Sequence, residues 1–352
     1  MKQWLDSIEY IRGVSMAGVV AIHTGSQYLL NPTPNIHLVA LFEIVSRFSV
    51  PIFFFISAFG LFYRINLSEP FDYGKFLRRR FKAVLIPYLI WSTLYIVHDN
   101  WFYGWQLFPD FDYAAEIYFF GLAKYHLYFL VILIWFYLLM PLWIYFIRRI
   151  TPAKLILLLA AQVAFDYWSS YCVGASENLF LKWRLNWLVL HYVFVFISGG
   201  WLGIHSEKFF SWCGTHKKII SATFFITLTT LLSCYYFLIY VRKFSPLEAV
   251  NTAHQLSPPG IFYTIAASIF LFTLFQCVKL PAPLKKFLSL LGKNSYFIYL
   301  AHPMAITYLS LGLAKLNLIM TAPNAIIFYF VTVFVTLAVK ILFQRFFQAV
   351  RR

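Results

Sequence analysis

Arg12 and His23 stand eleven residues apart in a largely apolar stretch, 8–30. A helix there would separate them by about 16 Å along its axis and, at close to three turns, set both on one face. Glu9, three residues before Arg12, is within reach to pair with it. Further titratable groups stand in apolar surroundings at His126, His191, His302 and Asp166. Imidazole takes up and releases protons near neutrality, so with His23 these make four histidines and a carboxylate that could together line a proton-handling cavity. The plainer reading satisfies each within its own helix contacts, most readily His126 and His191, which lie nearest the ends of their segments. Arg47 is either the partner of Glu43 one turn earlier or a cation facing a polar cavity. The run Lys75, Arg78, Arg79, Arg80, Lys82 reads as an anchor at a helix start or as a phosphate-binding patch. Pro87 and Tyr88 follow, and a proline there frees a backbone carbonyl and can kink the helix.

Positioning these groups is the task of a very apolar chain. Of 352 residues, 61% are hydrophobic and 12% charged. A soluble chain is nearer half apolar and a quarter charged, so these proportions cannot clothe a water-facing surface. Disorder is excluded on the same ground, and 4 cysteines make no disulfide scaffold. A polytopic, all-α integral membrane protein remains. About ten stretches are long and apolar enough to span a bilayer: 8–30, 38–63, 76–98, 125–147, 154–171, 185–204, 218–241, 258–280, 287–311 and 323–349. The stretch 101–122, aromatic but carrying Asp110, Asp112 and Glu116, reads as an interfacial or re-entrant loop. Its Trp101, Phe102, Tyr103 and Trp105 suit an aromatic belt or a surface for sugar stacking. With ten spans both termini lie on one side. Most of the 29 lysines and arginines fall there, and only Lys124, Lys182, Arg184, Arg242, Lys243 and Lys315 fall opposite. Both termini are therefore expected in the cytoplasm. The same bias accounts for most of the net +16 without nucleic acid as a partner. No C-x-x-C, G-x-G-x-x-G or P-loop pattern occurs, so no metal is expected. The expected organisation is one transmembrane domain over 1–352, with no cleaved leader and no appended soluble domain.

These residues resemble a family, acyltransferase 3, the integral-membrane O-acyltransferases. Glu9-Tyr10-Ile11-Arg12-Gly13 followed by His23 is similar to its opening R-x10-H signature. Ser46 to Ser57 resembles its second-span motif, and Phe76 to Tyr88, with the triple arginine and Ile86-Pro87-Tyr88, its third. Tyr125-His126-Leu127-Tyr128 is similar to the start of its fourth span, and Gly292 to Pro303, with Ser295, Tyr299 and His302, to its late block. The motifs run in order over nearly the whole chain. Two positions depart from the pattern: Ala58 stands where glycine is usual, and Tyr128 where tryptophan is.

The resemblance implies transfer of an acyl group, most often acetyl, from acyl-CoA to a sugar hydroxyl. Acetyl-CoA would dock its anionic head on Arg78, Arg79, Arg80 and Lys82, with Tyr88 in the same motif. His23 would act as general base, in direct transfer or, with an added step, through an acyl-histidine. Arg47 would hold either the oxyanion or a phosphate. Glu9 would orient Arg12, and Arg12 would serve donor binding or structure. His126, His302, Tyr299, Ser57 and Asp166 are the expected cavity residues. The acceptor would be an envelope or extracellular polysaccharide or a lipid-linked glycan, at a bacterial inner membrane. Membrane lipid and polysaccharide synthase or export components are the further partners it suggests. The competing reading is a transporter or flippase for a polysaccharide or lipid-linked sugar, which would need no CoA.

Overall fold

The computed structural model describes residues 5–66, 69–104 and 111–350, and every element among them is helical. In chain order these are α1 (Asp6–Tyr28), α2 (Ile36–Arg64), α3 (Tyr73–Tyr103), α4 (Phe111–Phe120), α5 (Tyr128–Leu138), α6 (Met140–Arg149), α7 (Pro152–Cys172), α8 (Val189–Ile204), α9 (Ser206–Thr215), α10 (Lys217–Tyr240), α11 (Pro246–Thr252), α12 (Pro258–Cys277), α13 (Ala282–Lys315) and α14 (Ala322–Val350). Two single turns, Leu179–Lys182 and Arg184–Trp187, precede α8.

Seven of these, α2, α3, α7, α10, α12, α13 and α14, are long and apolar enough to cross a membrane. The number rises to 9 if α5 with α6, bent by 69°, and α8 with α9 each count as one broken span. The chain is thus a multi-pass membrane protein, with fewer qualifying spans among the described residues than the ten expected. The difference is α1. Its 23 residues reach about 35 Å, enough to span. Asp6, Glu9, Arg12 and His23 dilute its apolarity. The loop expected over 101–122 is partly helical, since α3 runs to Tyr103 and α4 covers Phe111–Phe120. Trp105 and Asp110 lie outside the described residues.

The chain divides into two compact units, Met1–Gly60 with His205–Arg352, and Leu61–Ile204. In the first, α1 packs backbone to backbone against α13. A Cβ on Gly13 would come 2.5 Å from the carbonyl oxygen of Leu288, and one on Gly292 would overlap that of Glu9. Small residues let helices approach this closely where the solvent is lipid. Toward α2, a Cβ at Gly18 of α1 would strike the Ser49 hydroxyl, and one at Gly25 would sit 2.9 Å from Cγ of Glu43. Glycine therefore wedges α1 between α13 and α2. Aromatic contacts complete this unit: Phe59 lies 4.6 Å from Phe272 between ring centroids, and the Tyr263 hydroxyl donates to the Val45 carbonyl at 2.8 Å.

The second unit is built around α5, α6 and α8. Phe136 stacks on Phe196 at 4.2 Å, and the Trp143 indole donates to the Phe136 carbonyl at 3.0 Å, where the bend between α5 and α6 begins. Gly104 ends α3 in the left-handed conformation, φ 66°, a backbone region that costs glycine nothing. Three π-helical turns interrupt the long helices, at Ala40–Ile44, Phe81–Leu85 and Trp168–Cys172. The first contains Glu43 and the second Lys82, and the third begins two residues after Asp166, near residues singled out for chemistry as such turns often are.

Candidate active site

In the first unit, three helices bring their titratable residues together. His23 of α1 stacks on His302 of α13, with centroids 5.1 Å apart and planes at 24°. His302 is fully buried, and its Nδ1 lies 3.0 Å from the Ile298 carbonyl. A carbonyl only accepts, so Nδ1 carries the proton and Nε2 is the basic nitrogen of the neutral ring. Pro303 follows, inside the helix, without the N–H that would otherwise reach the Tyr299 carbonyl. The Tyr299 ring lies 6.1 Å from that of His302.

Arg47, on α2, lies within electrostatic reach of His23. Its Nη2 is 3.3 Å from Glu43 Oε2 and donates to the Val250 carbonyl of α11 at 3.1 Å. The i,i+4 pair anticipated from spacing therefore forms, with side chains 11% and 2% exposed. Glu43 lies in the first π turn, and its Oε1 accepts from the Ser26 hydroxyl of α1 at 2.9 Å. What spacing did not suggest is that the Arg47 Nε–H is buried and has no hydrogen-bond partner among the described residues. Nη2 is thus committed to Glu43 and Val250. The guanidinium can offer the Nε–H to an oxygen that arrives with a ligand.

Further along α1, Glu9 accepts from Ser289 at 2.8 Å and lies 3.7 Å from the Lys293 ammonium, both partners on α13. Arg12 and Ser57 are half-buried on α1 and α2. Ser26, Ser289 and Lys293 were missed from sequence. Two had a signal: Ser26 lies three residues beyond His23 on the same helix, and Lys293 lies inside the Gly292–Pro303 block.

The second unit holds the remaining candidates. Asp72 caps α3 by accepting from the Lys75 amide at 2.9 Å. Arg78, Arg79 and Lys82 are exposed. Arg80 turns inward, its guanidinium 5.4 Å from the ring centroids of both Phe76 and Tyr137. Tyr88 is buried, and its hydroxyl donates to the Tyr118 carbonyl of α4 at 2.5 Å. His126 is buried in the turn just before α5, edge-on to Tyr95 at 5.7 Å. Asp166 of α7 lies 2.5 Å from His191 Nδ1 at the start of α8, and neither side chain is exposed at all. Gln162 donates to the other Asp166 oxygen at 2.8 Å and accepts from the Phe194 amide. Unforeseen was Asp99, buried and bonded to Lys124 at 2.9 Å and His98 at 2.8 Å. Of the five groups considered for one proton-handling cavity, His23 pairs with His302, Asp166 pairs with His191, and His126 rests on tyrosine. Among the described residues, no three of His, Cys, Asp and Glu group so as to hold a metal ion.

Comparison with known proteins follows this geometry. No solved structure matches the chain. A protein of Staphylococcus aureus (strain MRSA252) named as a probable poly-beta-1,6-N-acetyl-D-glucosamine export protein is 21% identical over 318 residues, spanning 86% of this chain and 83% of its own. The family model of the acyltransferase domain matches residues 5–345, nearly the full length, and the chain belongs to that family.

Proposed function

We propose that the protein is a membrane O-acyltransferase that moves an acetyl or other short acyl group from cytoplasmic acyl-CoA to a hydroxyl of an envelope or extracellular polysaccharide. The observation that carries the reading is the His23–His302 stack with the Arg47 Nε–H unspent beside it. A sugar hydroxyl is a weak nucleophile until a base takes its proton. In the proposed step His23 removes that proton as the oxygen attacks the thioester carbonyl. The new C–O bond leaves a negative oxygen, which the Arg47 Nε–H stabilises. Collapse breaks the C–S bond, and the departing CoA sulfur takes the proton back from His23. His302, fixed by its bond to Ile298, holds the His23 ring in place.

Donor phosphates are assigned to Arg78, Arg79 and Lys82, whose charges are exposed. Arg80 and Tyr88 hold the second unit together. With α1 counted as a span the crossings are ten, and we assign both termini to the cytoplasm, beside the donor pool, on the lysine and arginine bias. We place the chain in a bacterial inner membrane. The relative's name supports a polysaccharide acceptor, and it also favours a second reading, polysaccharide export.

One experiment separates the two. Protein purified in detergent is titrated with acetyl-CoA in a calorimeter, then assayed for acetyl transfer to polysaccharides. The expected result is micromolar binding, weakened about tenfold in Arg78→Gln/Arg79→Gln. His23→Ala should bind acetyl-CoA as wild type does and transfer nothing. Folded wild type that ignores acetyl-CoA, yet moves polysaccharide across liposomes, would make export the function.

A further inference from the structure

Between α6, α7 and α8 of the second unit runs a groove of about 710 Å³ that the acyl-transfer reading does not use. Its walls are apolar along most of their length, formed by Leu157, Leu158, Ala161, Leu190, Val193 and Ile197. Its lining also includes two cations, Arg149 at the end of α6 and Lys154 in the first turn of α7. From Lys154 to Ala161 the groove descends about 10 Å along α7. A charged mouth over an apolar trough of this depth has the shape of a lipid, headgroup at the interface and chain between helices.

The mouth is organised for an anion. The Arg149 guanidinium lies 3.9 Å from the Tyr145 ring centroid and donates to the Tyr145 carbonyl at 3.3 Å. The Lys154 ammonium donates to the Arg149 main-chain carbonyl at 3.5 Å, and both residues line the groove where α6 gives way to α7. Neither is paired with a carboxylate among the described residues. Thr151 caps α7 by accepting from the Lys154 amide, so the first turn of this 21-residue helix adds its positive end to the same spot.

We infer that this groove binds one anionic phospholipid, its phosphate between Arg149 and Lys154 and one acyl chain along Leu157, Ala161 and Ile197. A partner helix seated there would cover two cations without neutralising them. A zwitterionic lipid would bring its own cation to the same place. The inference is independent of the proposed acyl transfer.

Native mass spectrometry of the delipidated, detergent-solubilised chain tests it, with phosphatidylglycerol and phosphatidylcholine of identical acyl chains as probes. Wild type should retain one phosphatidylglycerol at about tenfold lower concentration than phosphatidylcholine. Arg149→Gln/Lys154→Gln should bind the two equally. Ala161→Phe, which fills the trough and keeps both charges, should lose the tight phosphatidylglycerol. Glycerol phosphate, the headgroup without chains, should not compete. Equal binding of both lipids by wild type, a preference that survives the charge substitutions, or tight binding by Ala161→Phe would each overturn the assignment. Should the double variant fail to fold, Ala161→Phe and the glycerol phosphate competition still decide it.

Discussion

The two units handle buried charge differently. In the first, His23, Arg47, Glu43 and His302 converge from three helices, brought together where glycines on α1 admit close neighbours. The Arg47–Glu43 pair leaves one guanidinium hydrogen unspent. In the second, buried ions close on partners nearby: Asp166 on His191 and Gln162, Asp99 on Lys124 and His98. Its uncommitted charges, Arg78, Arg79, Lys82, Arg149 and Lys154, are exposed. A buried ion completed by its own neighbours mainly secures the fold, because removing one partner strands the other. A buried donor left over is available to a ligand. Under the proposed function, chemistry falls to the first unit, and donor binding and architecture to the second. The contrast is weakest at His191, whose Nε2 is also buried without a hydrogen-bond partner among the described residues.

The sharpest test of the first half is Arg47→Lys. Lysine keeps a positive charge beside Glu43 and loses the Nε–H along with the fork that reaches Val250. Turnover in the acetyl-transfer assay should fall about 10²–10³-fold, as when one oxyanion donor is removed. KM for acetyl-CoA and the melting temperature should change little. Undiminished turnover would take Arg47 out of the chemistry.

Asp166→Leu probes the second half. It strands His191 in an apolar interior and should cost about 3 kcal/mol of stability, read by denaturant or thermal unfolding. Replacing both, Asp166→Leu with His191→Leu, should recover part of that loss, since the stranded imidazole is gone and only the Gln162 amide N–H still lacks its Asp166 acceptor. Turnover per folded molecule should hold in both variants. A collapse in turnover with stability intact would make the dyad catalytic, and the contrast between the units would fail.

The contrast itself was only half legible in the sequence. Helical periodicity alone put Arg12 and His23 on one face of α1, and the register of short motifs pointed to Arg47 and His302. Gly13 and Gly292 stood inside those motifs, but their reason, contact with the backbones at Leu288 and Glu9, belongs to the packed pair of helices and has no local signature. The Asp166–His191 pair joins residues separated by a loop and two single turns, so spacing along a helix cannot reveal it. Charge marked Arg80, and its motif Tyr88, as ligand-binding residues. Which way a cationic or phenolic side chain turns depends on rotation about the helix axis, and here both turn inward, to Tyr137 and Tyr118. The π turns that shift this rotation at Ala40–Ile44 and Phe81–Leu85 leave no mark in hydropathy. The ten expected spans and the nine at most that qualify among the described residues differ by α1. Hydropathy rewards apolar helices, and α1 is polar because it carries the candidate chemistry.

Ser26→Ala carries the smallest expected effect and asks how finely the first unit is tuned. The Ser26 hydroxyl has one hydrogen and two acceptors in reach, the Glu43 carboxylate at 2.9 Å and the Ile22 carbonyl at 3.0 Å. The Ile22 carbonyl already belongs to a helix, so the carboxylate gains more from that hydrogen. Without it Glu43 leans harder on Arg47, its remaining partner. Turnover should drop severalfold and stability by about 1 kcal/mol, the scale of one partly exposed hydrogen bond. Ser26→Thr keeps the hydroxyl and should restore the rate. A rate unchanged in Ser26→Ala would mean that Arg47 is held by Glu43 and Val250 alone. The part of α1 that matters to the guanidinium would then be Gly25, which lets Glu43 approach, rather than Ser26, which bonds to it.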